Sequence, residues 1–180
     1  MLASEARVSQ KPLTEKSIYT IKICKKMKMD IQSYLKEWAL NYFKNRDLIA
    51  RNIEKIDSND GDLVIKYKDR TETVKPLGNL SDFNVKQKSN DYINLICFNT
   101  RNNFDFLLKN WEDFIEFLNL KILFINPFSE TEHKWIISPS VHVRISDDQS
   151  LKKGLLAIFE TVSVLHDEEI GDNIKNIERL

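Results

Sequence analysis

The sequence predicts a single α/β domain whose mixed sheet has a parallel centre. Two almost wholly apolar runs, YINLICF and LKILFINP, are typical of strands that are buried on both faces. The segment between them has apolar residues at helical spacing. A chain of 180 residues also suits one domain with one core. The predicted order of elements is α-β-β-β-α-β-β-α.

The composition restricts the classes of partner. Lys and Arg number 27, as do Asp and Glu, so binding to nucleic acid or to a membrane would require a local patch of charge. The two cysteines, Cys24 and Cys97, form no CxxC pair, and we expect Cys97 to be a buried thiol in a reducing compartment. No apolar run approaches the roughly 18 residues of a membrane span, and no signal peptide is recognisable. We therefore expect a soluble cytoplasmic protein with no membrane contact.

Net charge is unevenly distributed, with a basic excess at the start of the chain and an acidic excess at its end. Residues 1–28 contain seven Lys or Arg and two Glu without a sustained helical stripe, which predicts a flexible basic arm. This arm is either a solvated extension or a segment that touches RNA or DNA phosphates. Residues 167–180 contain five acidic and two basic residues and are predicted to be an acidic C-terminal tail. The α/β domain is assigned to residues 29–166.

The first helix is predicted to begin after Asp30, whose carboxylate is a suitable N-cap and interacts favourably with the helix dipole. The turn-forming run DSNDGD ends the helical pattern. The apolar residues assigned to one face of this helix are Ile31, Tyr34, Leu35, Trp38, Tyr42, Ile49 and Ile53.

Two short strands are predicted next, in DLVIKYK and TETVK, joined by a turn at KDRT. They form an antiparallel ribbon with one exposed face. Residues 77–91 are assigned to a loop.

The parallel centre is predicted from the two apolar runs and a crossover helix between them. Asn102 is a suitable cap for this helix, and its apolar face comprises Phe104, Leu107, Leu108, Trp111, Phe114, Ile115 and Leu118. HKWIISP is predicted to be a more exposed strand. A last helix follows, with a capping box from Ser146 to Gln149 and an apolar side made of Leu151, Leu155, Ile158 and Val162.

The polar run at 99–103 is a candidate ligand site, because it follows a central parallel strand, where crevices form in open sheets. The first N–H groups of the next helix and the guanidinium of Arg101 could hold an anion beside Asn99. The run contains no glycine, so it matches neither a P-loop nor a dinucleotide fingerprint. The alternative is a plain turn with Asn102 as the helix cap.

Three further residues could contribute to this site. Asn126, at the end of the neighbouring parallel strand, should lie beside Asn99 and could bind a base edge or a sugar, or simply terminate the strand. His142 and Arg144 share a side if their segment is extended, and with Arg101 they would form a small cationic cleft; the alternative for His142 is a structural role. No metal-ligand spacing or nucleophile elbow surrounds them, so we assign no metal, no cofactor and no catalytic residue.

Basic residues on the predicted strands suggest a nucleic-acid contact. An aromatic side chain beside cations is suited to base stacking. Asp62, Asp69 and Glu72 interrupt the basic residues, so a mixed, solvated face is the alternative. Trp38 and Trp111 are assigned to core packing. The candidates are Lys66, Lys68, Arg70, Lys134 and Trp135.

The order helix, three strands, crossover helix and strand over residues 30–126 resembles the common core of the restriction-endonuclease-like (PD-(D/E)xK) nucleases. The resemblance implies an acid on the second strand and an acid-x-Lys motif on the third, which hold Mg²⁺ and orient a water. Here the third strand offers Asn94, Leu95 and Ile96, and on the second strand Glu72 and Lys75 are spaced to point to opposite faces. The resemblance therefore implies a non-catalytic descendant that binds nucleic acid or acts as a scaffold.

Three functions follow in order of preference. The first is a non-catalytic domain that binds RNA, DNA or a nucleic-acid-associated complex. The second is a protein-interaction subunit, as a homodimer or with another protein, using the edge of the HKW strand or the final helix. The third is a divergent Mg²⁺-dependent nuclease that uses Arg101, His142 and either Asp62 or Glu72.

Overall fold

A mixed sheet of six strands organises the fold in the computed structural model, which describes residues 30–87, 89–131, 133–145 and 147–177. The predicted basic arm at 1–28 lies outside these residues. The strands are β1 (Ile53–Asn59), β2 (Asp62–Tyr67), β3 (Thr71–Pro76), β4 (Tyr92–Phe98), β5 (Leu120–Ile125) and β6 (Lys134–Ile137). The helices are α1 (Ile31–Asp47), α2 (Arg101–Lys109), α3 (Trp111–Phe114), α4 (Pro139–His142), α5 (Asp148–Thr161) and α6 (Asp167–Ile177).

The strands lie in the sheet in the order of the chain, and the centre is parallel, as predicted. β1, β2 and β3 form an antiparallel meander, β3, β4 and β5 are parallel, and β6 returns antiparallel at the far edge. β4 is buried from Ile93 to Phe98, as its apolar run predicts for a central strand. The structure confirms the mixed α/β fold class.

The end of the first helix was predicted wrongly. α1 ends at Asp47, whose carboxylate accepts hydrogen bonds from the backbone N–H groups of Asn52 (2.9 Å) and Ile53 (2.8 Å), so the chain reverses and β1 begins. The register shifts between Ile53 and Lys55 in a bulge, which lets both Ile53 and Ile56 pack towards α1. Their spacing of three therefore fits a bulged strand as well as a helix. Ile49, assigned to the helix face, is 97% exposed.

β1 adds a fourth strand before the crossover helix, one more than the predicted order counts. A tight turn at Asp60 and Gly61, both with positive φ (44° and 91°), joins β1 to β2. Gly61 suits this turn because a residue without a Cβ adopts positive φ without steric cost.

The crossover between β4 and β5 contains two helices, not one continuous helix. α2 ends at Lys109 and is capped by Asn110, whose side chain Nδ2 donates to the Phe106 carbonyl oxygen at 2.9 Å. α3 then adds one separate helical turn. Leu118, predicted to lie on the buried face, is 53% exposed. The cap of α2 is Thr100, whose Oγ1 accepts from the Asn103 N–H, and not Asn102.

The C-terminal part of the chain also differs from the prediction. Asp147 caps α5 by accepting from the Ser150 N–H at 3.0 Å, and Ser146 lies outside the described residues. Phe159, and not Ile158, completes the buried face of α5 with Leu151, Leu155 and the following Val162. Residues 167–177, predicted to be a tail, form α6.

Helices cover both faces of the sheet and enclose two cores. α1 and α6 pack on one face, where Ile170 and Ile174 of α6 are buried with Ile96 and Phe98 of β4. α2, α3 and α5 pack on the other face against Leu95 and Cys97. Cys97 is buried as predicted, and burial raises the pKa of its thiol.

Within the described ranges, no helix combines the length and the apolar character that crossing a membrane requires.

Candidate functional site

Asn99, at the predicted corner after β4, uses its side chain within the protein. It is fully buried. Its Nδ2 donates to the carbonyl oxygens of Val162 (2.8 Å) and Phe159 (3.3 Å), and its Oδ1 accepts from the Trp135 indole Nε1–H at 2.8 Å. The geometry supports the structural alternative for Asn99, because its amide groups have protein partners.

Asn126 emerges beside Asn99, as the parallel strands predict, because the Asn99 N–H donates to the Ile125 carbonyl oxygen at 2.7 Å. Its amide is also engaged: Nδ2 donates to the Ser163 carbonyl oxygen (2.8 Å) and Oδ1 accepts from the Phe128 N–H (3.0 Å). The two asparagines therefore hold the chain between α5 and α6 instead of presenting amides to a ligand.

The crevice expected at this corner is filled by the chain itself. Leu165 forms a bridge with Thr100, and its N–H donates to the Asn99 carbonyl oxygen at 2.9 Å. Asn102 donates to the Asp167 carboxylate at the start of α6. Arg101 remains exposed and pairs with Asp105 at 3.0 Å.

The predicted cationic cleft of Arg101, His142 and Arg144 does not form. The segment is not extended, because His142 ends the short helix α4 and its Nδ1 lies 2.8 Å from the Ser138 carbonyl oxygen. The antiparallel register of β5 and β6 places α4 beside the start of β5, whereas Arg101 follows the end of β4. His142 and Arg144 thus lie near the opposite end of the parallel strands from Arg101.

The predicted nucleic-acid residues fall on separate surfaces. Trp135 is 5% exposed and stacks on Phe124 with ring centroids 4.2 Å apart, so the surface role proposed for it is wrong. Lys134, on β6, lies over the Tyr42 ring. Lys66 points away from α1 and pairs with Glu54 at 3.3 Å.

Lys68 and Arg70 instead line a polar cleft between the C-terminal end of α1 and the β2–β3 hairpin. Two further cations reach it, Arg46 from the last turn of α1 and Lys121 from the start of β5. Its volume is about 400 Å³. The cleft is lined by Phe43, Arg46, Asp47, Ala50, Asn52, Tyr67, Lys68, Asp69, Arg70, Glu72 and Lys121.

Arg46 and Lys121 were missed in the sequence, although one signal for Lys121 is visible there. Lys121 is the one charged residue in the run LKILFI of a central strand. A charge within such a buried strand requires a polar environment, and the cleft provides it. No comparable signal marks Arg46, because a basic residue in the last turn of a helix is common.

A buried carboxylate organises the base of the cleft. Glu72 is 4% exposed; its Oε1 accepts from Arg70 Nε at 2.7 Å and its Oε2 accepts from Asn94 Nδ2 at 2.8 Å. Arg70 also donates to Asp69 and lies over the rings of Tyr67 (4.9 Å to the centroid) and Tyr92 (5.7 Å). The hydrogen bond that Arg70 donates to Glu72 raises the pKa of the Arg70 guanidinium and holds it in a fixed orientation.

Four of the remaining groups of the cleft are suited to an anion, whereas Asp47 and Asp69 are engaged with protein donors. Burial, and secondarily the Glu72 carboxylate, raises the pKa of Tyr67 to about 12, so its phenol is a neutral hydrogen-bond donor at neutral pH. The side chains of Arg46, Lys68 and Lys121 make no ion pair or hydrogen bond with another residue in the described part of the chain. Their charges are therefore available to a ligand.

The acid and lysine of β3 point to opposite faces, as their spacing predicts. Lys75 pairs with Asp62 at 2.5 Å on the face away from α1, where a second polar cavity of about 630 Å³ lies. Both oxygens of Glu72 already accept hydrogen bonds on the α1 face. Among the described residues, no group of three or more His, Cys, Asp and Glu side chains is placed to hold a metal ion.

A third feature is a groove of about 960 Å³ between α1 and the edge strand β1. Its floor is apolar and includes Leu40, Ile53, Ile56 and Leu63. The groove and the polar cleft lie at different parts of the α1 face, although both include Asp47.

Comparisons of the chain with protein-family models, with curated proteins and with solved structures gave no match. Function is therefore inferred from the geometry of these surfaces.

Proposed function

We propose that this protein binds single-stranded nucleic acid through the polar cleft and acts as a non-catalytic binding domain. The observation that carries the proposal is the convergence of four cationic side chains, Arg46, Lys68, Arg70 and Lys121, on one cavity. They belong to a helix, a hairpin and a distant strand, and only the fold brings them together.

The chemistry of the cleft suits a phosphate-bearing chain with unstacked bases. Phosphate oxygens form ion pairs with Lys and Arg, and the three cations that have no ion-pair or hydrogen-bond partner among the described residues can supply these contacts. Tyr92, beside Arg70 and 43% exposed, offers a ring on which a base can stack. The cavity volume of about 400 Å³ is also within the range of small-ligand pockets.

The arrangement of Glu72 supports binding without metal-dependent catalysis. A carboxylate that orients Arg70 and accepts from Asn94 has its oxygens directed at protein donors. This is consistent with a non-catalytic descendant of the restriction-endonuclease-like core, a relationship that we retain as part of the proposal.

The test is the salt dependence of binding to labelled single-stranded RNA and DNA, measured by fluorescence anisotropy. We expect the double variant Lys68→Glu with Lys121→Glu to bind at least about tenfold more weakly and to lower the slope of log affinity against log salt by about 2, one for each lost phosphate contact. The double variant Lys86→Glu with Lys153→Glu changes the net charge equally at exposed lysines outside the cleft. It should bind as the unmodified protein does.

Two outcomes would overturn the proposal. One is negligible binding of the unmodified protein at low salt. The other is an equal loss in the two double variants, because a uniform effect of net charge requires no cleft.

A further inference from the structure

β1 is an edge strand with β2 as its neighbour on one side and no strand of the described sheet on the other. Alternate residues of β1 therefore present backbone N–H and C=O groups that can pair with another strand. Natural proteins usually protect such edges with bulges and charged residues. β1 has both, a bulge next to Glu54 and exposed charges at Lys55 and Asp57, so few strands can pair with it.

The groove beside β1 extends this edge with apolar surface. Leu48 lines the groove and is 66% exposed, and the adjacent Ile49 is almost completely exposed. Exposed apolar surface of this kind marks interaction sites. The charged residues around the groove are four basic and four acidic, namely Lys36, Lys44, Arg51, Lys55, Glu37, Asp47, Glu54 and Asp57. A surface with this balance is not complementary to a strongly basic or a strongly acidic partner, but it can be complementary to the same surface on a second copy of the chain.

We propose that the occupant of this edge is a second copy of the chain, paired antiparallel through β1 with the two-fold axis at Ile56. In that register Ile56 faces Ile56 of the partner subunit, and Lys55 faces Asp57 of the partner subunit. Because a two-fold interface repeats each contact, two such ion pairs form. Within one subunit Lys55 and Asp57 pair with each other at 2.8 Å while both are exposed. Replacing this pair by the two pairs between subunits therefore leaves no charge buried without a partner.

Charge also selects this register over its neighbours. An axis at Lys55 would place the two Lys55 side chains opposite each other, and an axis at Asp57 would do the same with two carboxylates. Like charges directly opposite are destabilising in antiparallel pairs. Of these three symmetric registers, only the one centred on Ile56 places opposite charges face to face.

The experiment is sedimentation equilibrium of the full-length chain and two charge variants. Lys55→Asp places an acid opposite Asp57 of the partner subunit, and Asp57→Lys places a base opposite Lys55 of the partner subunit. We expect the unmodified chain to approach the mass of two chains as concentration rises and each variant alone to remain monomeric. An equimolar mixture of the two variants should regain the double mass, because every facing pair is then opposite in charge.

The mixture separates dimer contacts from effects on folding, since a misfolded variant cannot be rescued by another. Lys153→Asp, on the exposed side of α5, is the control for charge and should dimerise normally. Lys68→Glu should also dimerise, so failure of the dimer and failure of nucleic-acid binding are distinguishable. A monomeric unmodified chain at every concentration, or a mixture of the two variants that stays monomeric, would overturn the proposal in favour of a different occupant.

Discussion

Glu72 lies on the face of β3 that α1 covers, where an unpaired carboxylate would be costly. Its two hydrogen bonds, from Arg70 and Asn94, explain why the carboxylate is tolerated there, and one of them fixes the orientation of Arg70. Arg70 is held over two tyrosine rings, and the phenol of Tyr67 keeps its proton because burial disfavours the phenolate and the nearby Glu72 charge disfavours it further. Glu72 thus orients the Arg70 guanidinium, and its charge adds to the effect of burial on Tyr67.

Tyr67 should make the folded protein sensitive to alkali. Its pKa rises from 10.0 to about 12 on folding, because burial disfavours the phenolate. Between these values the unfolded chain releases the proton while the folded chain keeps it, so this contribution to stability is complete below pH 10 and is lost as pH rises towards 12. Urea unfolding at a series of alkaline pH values should show a shallower fall of stability in Tyr67→Phe. Parallel stability curves for the two proteins would contradict the assignment.

At the scale of elements, apolar periodicity predicts the central strands and the hairpin. It fails at the boundary between α1 and β1 and at the break between α2 and α3. β4 and β5 are predicted correctly because an almost wholly apolar run of six or seven residues between turn residues fits a buried strand. The boundary between α1 and β1 is missed because a bulge places Ile53 and Ile56 on one side of a strand. Spacing alone cannot separate this pattern from a helix, since both put residues three apart on one face.

The candidate site was predicted only in part, for a tertiary reason. Local sequence indicates that Asn99 and Asn126 lie side by side at the ends of parallel strands, and they do. It does not indicate that residues 162–167 return to cover them, because these contacts join positions distant in sequence, 63 residues apart for Asn99 and Val162 and 37 for Asn126 and Ser163. Of the cleft, the hairpin cations Lys68 and Arg70 were predicted, whereas Arg46 and Lys121 join them only through the packing of α1 on the sheet.

Asn99→Ala should be strongly destabilising, because Asn99 joins β4, β6 and the end of α5. The substitution leaves the buried Trp135 N–H and the Val162 carbonyl without their partners, and each such group costs about 1–3 kcal/mol. We expect a loss of about 2–4 kcal/mol in the free energy of unfolding, seen as a lower urea midpoint with an unchanged slope.

Asn45→Ala, at an exposed position of α1, is the control for this variant. It should change stability by less than about 0.5 kcal/mol. If Asn99→Ala were equally mild, the buried amide network would not contribute to stability as argued.

At the scale of the whole molecule, the candidate site lies at the end of the parallel strands that is opposite to the usual one. Ligand sites in open α/β sheets generally lie at the carboxyl ends of the strands, but here the chain between α5 and α6 fills that end. The polar cleft lies at the other end, near the starts of β3 and β5. The position of α6 therefore also determines where a ligand can bind, since the segment that leads to α6 covers the carboxyl ends of β4 and β5.

If α6 is an integral part of the fold, truncating its buried face must destabilise the entire domain. Ile174 is buried with Ile170 in the core that α1 covers, so Ile174→Ala should lower the free energy of unfolding by about 2–4 kcal/mol through lost burial and the cavity that remains. Asn176→Ala, exposed on the same helix, preserves the helix and removes no buried contact, and it should be nearly neutral.

The free energies are obtained from urea unfolding followed by tryptophan fluorescence, which reports on the core through Trp135. A single transition shifted to lower urea in Ile174→Ala would show that both cores unfold together. Unchanged unfolding would instead mean that residues 167–177 behave as the acidic tail that their charges predicted.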